Sequence, residues 1–187
     1  MTKLLPLIAL VACLTSCPET KVPRHFGLKP ATLKAAEWEG DWSSPDASDD
    51  PIHLAIDHTD QGALISTEPA KDGKKGSSFK IYVWHQSAAK DSHLYFFSLF
   101  EKPGEETGSI GLLTKPEANV FYLWNPNHEA IAEAIKSGRL KGKLEKNKND
   151  TLSTLAADPA NYSALGSPEF WDWTRPSASV RNVGARH

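Results

Sequence analysis

Cysteine is almost missing from this chain: there are two, at positions 13 and 17, and none follows Cys17. That excludes a disulfide framework, a thiolate zinc site and a cysteine nucleophile from everything beyond residue 17. Long apolar runs are missing too, the longest being residues 4–14, broken by Pro6. An excess of charge of one sign is also lacking. With 21 Lys+Arg against 23 Asp+Glu the net charge is −2, which gives no general pull toward nucleic acid. Nor is there a G-x-S-x-G elbow, an H-E-x-x-H helix, a glycine-rich phosphate loop or a calcium-loop spacing, so no nucleophile and base can be paired and the chain reads as a non-enzyme without a cofactor. What remains is ordinary globular composition, 40% hydrophobic and 24% charged with 12 Gly and 13 Pro. It excludes collagenous and wholly disordered classes and fits one domain.

The first residues carry an address. Lys3 precedes the apolar stretch 4–14, and Thr15-Ser16-Cys17 follows, which is the basic, apolar and small-residue order of a secretory signal. At about 1.5 Å per residue, such a stretch reaches roughly 16 Å, half of a hydrocarbon core of about 30 Å, so it is too short to stay as a membrane span. Leu14-Thr15-Ser16-Cys17 resembles the lipobox of bacterial lipoproteins. The resemblance implies a signal peptide over residues 1–16, cleavage before Cys17, diacylglyceryl (and usually an additional acyl group) on Cys17, and a membrane partner held through that covalent lipid. It further implies a bacterial envelope location, at the outer membrane facing the periplasm. Residues 17–30 are proline-rich and read as the lipidated cysteine and an extended tether. At about 3.3 Å per residue, residues 18–30 would reach roughly 40 Å.

The domain then spans 31–176, and 177–187 reads as a flexible tail. A short helix-permissive run, 31–38, leads into a series of strand-like segments at 52–57, 63–67, 79–85, 93–101, 108–114 and 119–124. Residues 127–137 switch to helical spacing through Ala130, Ile131, Ala134 and Ile135, with Asn127 as N-cap and Gly138 as the stop. Strands return at 139–146 and 151–155, then a helical turn at 159–165 and a strand-like run at 170–175. The expected fold is mainly β: an antiparallel meander barrel with one helix near 127–137 and short helical turns. Both faces are apolar in segments 93–101 and 120–124, so each strand has both sides covered or lines an apolar cavity.

Gly40-Asp41-Trp42, entering the first strand from a helical run, is similar to the G-x-W signature of lipocalin-like barrels. There the Trp packs across the closed end beneath an Arg from the last strand. The resemblance implies a barrel-closing pair, Trp42 with Arg175, and an apolar small molecule or lipid as cargo. Two sets can line a barrel pocket, Val83, Phe97 and Leu123 or the opposite face, Trp84, Phe96 and Trp124. The aromatic set supplies the candidate ligand contacts. Large aromatics also simply fill a narrow barrel, which leaves a second role open: a structural or protein-binding envelope module, such as an inhibitor or assembly factor, presenting charge to another envelope protein.

Metal chemistry finds weak support. His85 with His93, and His53 with Asp57, are the best pairs, and neither has a third ligand nearby in sequence, so no metal site is assigned. Charge is uneven: residues 35–70 hold acids and no Lys or Arg, whereas 136–148 hold Lys136, Arg139, Lys141, Lys143, Lys146 and Lys148 against Glu145. This reads as an acidic rim and a basic strand pair.

Overall fold

The computed structural model describes residues 19–24, 26, 29–45, 51–69, 76–85, 94–102, 104–146, 151–174 and 176–181. Alternation builds the barrel. Strand β8 (Val120–Trp124) buries Phe121 and Leu123 between half-exposed neighbours, and β3 (Ile52–Ile56) buries Ile52 and Leu54 about an exposed His53. Seven strands, β2 (Gly40–Ser43), β3, β4 (Ala63–Thr67), β5 (Ser78–His85), β6 (Leu94–Phe100), β7 (Thr107–Glu117) and β8, form an antiparallel meander. The eighth, β11 (Ser177–Arg181), pairs with β8 on one side and β2 on the other and closes the ring. The short helix α1 (Ala35–Trp38) lies at one end.

Three further strands form a wing. β1 (Glu19–Pro23) pairs with the first half of β7 and runs parallel to β10 (Thr151–Leu155), which is antiparallel to β9 (Gly142–Lys146). Helix α2 (His128–Lys136) forms as its sequence directs: the Asn127 side chain accepts from the Ala130 N–H at 3.2 Å, Glu129 and Lys136 complement the dipole, and Gly138 ends it at φ 76°. Helix α3 (Pro159–Ala164) is capped by Asp158. Its buried Asn161 donates to the Lys141 and Ala156 carbonyls and accepts from the Lys141 N–H, which ties the helix to the wing. A 3₁₀ turn follows at Pro168–Phe170.

The molecule therefore has two cores. One fills the barrel with Trp38, Trp42, Leu64, Val83, Phe97 and Phe121. The other lies on the barrel's outside, where Tyr82, Trp84, Phe96, Phe100 and Ile110 are covered by Ile131, Ala134, Tyr162 and Trp171. Of the two-faced apolar strands, β6 is thus covered on both sides, whereas the outer face of β8 (Val120, Tyr122 and Trp124) stays half-exposed. His128, at the start of α2, shares a 2.9 Å hydrogen bond with the Thr20 hydroxyl, and burial pushes its imidazole down to about 4, so it is neutral at pH 7.

Three segments differ from the sequence expectation. Residues 19–23, read as tether, are strand β1, with Thr20 and Val22 wholly buried. One apolar residue in Glu-Thr-Lys-Val-Pro carries no periodic signal, and partners from residues 107–109 and 152–154 impose the strand. Residues 177–181, read as the start of a flexible tail, are β11, made of small residues and held by pairing on both edges. Of the run read at 170–175, residues 170–174 are no strand of the sheet: Trp171 makes a single bridge to Pro126 and donates its indole N–H to the Leu165 carbonyl at 2.8 Å. The strands near 139–146 and 151–155 exist, but in the wing.

Candidate functional site

One end of the barrel is plugged from the residues upward. Gly40, at φ 126°, lies under Arg181: a Cβ there would stand 3.1 Å from Arg181 Nε. Arg181 ends β11, pairs with Trp42 in register, and donates from Nη1 to the Ala36 carbonyl, so the last strand clamps α1 onto the entrance of β2. Trp42 is 1% exposed, donates from Nε1 to the Trp38 carbonyl at 3.1 Å and packs on Phe121 at 4.6 Å between ring centroids. The arginine expected over this end, Arg175, lies outside the described residues. Arg181 holds the corresponding place on the last strand, and its signal, a basic residue ending a strand of small residues, was hidden by the more strand-like run before it.

The cation on the tryptophan rings is a lysine that the sequence gives no reason to bury. Lys115 is 5% exposed, with Nζ 5.0 Å from the Trp42 ring and 5.4 Å from the Trp38 ring, and it donates to the carbonyls of Glu117 and Ala118. Burial pushes its ammonium down to about 8, against an attraction from Glu37, with Arg181 adding a smaller push in the same direction. Between about pH 8 and 10.5 the unfolded chain therefore binds the lysine proton more tightly than the folded one. Stability from this group rises with pH across that window, by up to about 3 kcal/mol. Comparing urea midpoints at pH 7.5 and 10 is expected to show the wild type gaining on Lys115→Met as pH rises. Parallel profiles would contradict this assignment.

Next to this plug, inside the barrel, an apolar cavity of about 40 Å³ is lined by side chains including Trp38, Leu54, Phe79, Phe97, Phe121 and Leu123. Beside it, Ser66 is wholly buried on the inner face of β4, and its hydroxyl has no hydrogen-bond partner among the described residues. Gly111 decides how full the interior is. A Cβ there would come within 2.2 Å of the Phe97 ring, so only glycine lets that ring lie across the barrel.

Of the two candidate linings, Val83, Phe97 and Leu123 face inward and border the cavity. Trp84, Phe96 and Trp124 do not line it. Trp84 and Phe96 are buried beneath the helices, Phe96 at 5.7 Å from Trp171, while Trp124 on the outer face donates to the Thr114 hydroxyl at 3.0 Å and packs on Trp173 at 4.5 Å. The reason is parity together with a covered outer face, which makes the exterior as apolar as the interior.

The polar candidates separate as well. His53 pairs with Asp41 (2.8 Å), while Asp57 pairs with Lys80 (2.8 Å). Asp60 accepts from Lys80 (3.0 Å) and from the Tyr82 hydroxyl (2.6 Å). These bonds hold Asp57 down at about 2 and Asp60 low, and they raise Lys80 although burial alone would lower it. His85 packs on Tyr95 at 5.2 Å, and His93 lies outside the described residues. Among the described residues no cluster of His, Cys, Asp and Glu is arranged to hold a metal ion. In the basic run, Lys136, Arg139 and Lys141 are matched by Glu133, Glu169 and Asp158.

A closed eight-stranded antiparallel ring with a tryptophan-plugged end defines the class: this is a lipocalin-like β-barrel, carrying a three-stranded wing. In comparisons with known proteins, no family model, curated protein or solved structure matches the chain.

Proposed function

We propose that this chain is an envelope lipoprotein, cut before Cys17 and held to the outer membrane on its periplasmic side by the lipid on that cysteine. Its barrel is a filled, rigid module that works through its surface on another envelope protein, as a structural element, inhibitor or assembly factor. The observation that supports the surface reading is the cavity volume of about 40 Å³. A water needs about 10–15 Å³, benzene takes a cavity of about 150 Å³, and small-molecule sites usually run to about 300 Å³ or more. That cavity thus has room for a few waters and none for a lipid.

The second reading, an apolar small molecule or lipid in the barrel, draws on the wholly apolar cavity wall and on the unpartnered Ser66 hydroxyl near it. It requires the Phe97 ring to swing out of the interior. Whether the secreted, unlipidated chain carries a bound mass in native mass spectrometry separates the two, and the surface reading predicts a bare polypeptide.

A further inference from the structure

Strand β1 begins two residues after Cys17, and Pro18 alone lies between. Two Cα steps span at most about 7 Å. On the lipoprotein reading above, on which this inference rests, the acyl chains leave the fold at the start of β1, and the surface around that point must meet the bilayer.

That surface carries an aromatic pair. β8 ends at Trp124 opposite Leu112, and β1 takes over the same edge of β7 at the Lys21–Ser109 pair, so the start of β1 lies at the fork where β8 leaves. The Thr20 hydroxyl bonds His128 there. Three residues upstream, the Asn125 carbonyl accepts from the Asp172 N–H at 2.9 Å, which brings the next residue, Trp173, onto Trp124. Trp173 is 41% exposed, the most exposed large apolar side chain among the described residues, while its indole N–H is already bonded to the Pro168 carbonyl at 2.8 Å. A tryptophan with its polar group satisfied and its ring bare suits the headgroup level of a bilayer, where such rings concentrate.

We infer that Trp173, backed by Trp124, inserts into the headgroup region of the membrane that holds the Cys17 lipid, and so fixes the barrel's orientation on that membrane. The domain sits on the bilayer rather than at the end of a tether.

The test uses the full lipidated chain in phosphatidylethanolamine–phosphatidylglycerol vesicles containing lipids brominated in the acyl chain near the headgroup. Intact mass reports acylation, flotation reports attachment, and tryptophan emission reports contact with bromine. The wild type is expected to be quenched, Trp173→Phe to lose more than half of that quenching while still floating, and Trp84→Phe, buried under the helices, to keep it. An acylated, floating Trp173→Phe chain quenched as much as the wild type overturns this orientation and leaves the anchor standing. A chain without lipid mass overturns the lipoprotein reading and the orientation together. If the Trp173 signal follows protein density and persists in vesicles without brominated lipid, the surface is a contact between copies of the chain, and the inference fails.

Discussion

Replacing Trp42 by alanine is expected to cost about 4 kcal/mol of stability, within the range of roughly 3–5 kcal/mol for burying and then losing a large aromatic. The side chain is 1% exposed and touches both Phe121 and the Lys115 ammonium, and its N–H satisfies the Trp38 carbonyl. Truncation opens a void, strips one ring from a buried cation and orphans a carbonyl in the same place. A domain of this size has about 5–15 kcal/mol in all, so the thermal midpoint should fall by roughly 10 °C. Trp173→Ala, at an exposed ring, serves as the comparison and should change stability little. If denaturant melts give the two variants similar losses, Trp42 does not plug the barrel.

Anchoring is expected to be all or none. A chain whose residues 1–17 are exchanged for a cleavable secretory signal should move wholly from the membrane to the soluble fraction, and Cys17→Ala should end palmitate incorporation. Each buried CH₂ contributes about 0.8 kcal/mol and a single chain holds only marginally, so the two or three chains on a lipoprotein cysteine dominate any contribution from one tryptophan. Among the described residues no helix is long and apolar enough to cross a membrane. Continued acylation of Cys17→Ala would place the lipid elsewhere and remove the basis for the proposed anchor.

How far the sequence reaches can be argued from particular elements. Strands with one apolar face, such as β3, and the capped helix α2 are legible because periodicity and end signals agree in them. The barrel itself follows from the rhythm of turns and the Gly40-Asp41-Trp42 entrance. β1 and β11 are not legible, since Glu19–Pro23 and Ser177–Arg181 contain too few apolar residues and owe their conformation to partners distant in the chain. Inside and outside could not be told apart in β5, β6 and β8. The wing and helices cover the outer face, so Trp84 and Phe96 are as buried as Val83 and Phe97. The size of the cavity was out of reach for a different reason: it depends on Gly111 allowing the Phe97 ring across the barrel, a contact between strands that no pattern within one strand encodes. Lys115 was out of reach because a lysine between the strand-like runs 108–114 and 119–124 ordinarily points to water, whereas here it lies within β7 and two tryptophan rings and two carbonyls receive it.

The central claim is that the barrel is filled and works through its surface. Native mass spectrometry of residues 18–187, secreted into a bacterial periplasm and purified without detergent, tests it most directly. All described strands remain in that chain, since β1 starts at Glu19. A bare polypeptide mass is the predicted result and directs the search to envelope proteins as partners. A bound mass that disappears on denaturation would contradict the claim, make the barrel a carrier, and identify the chemical class of its cargo.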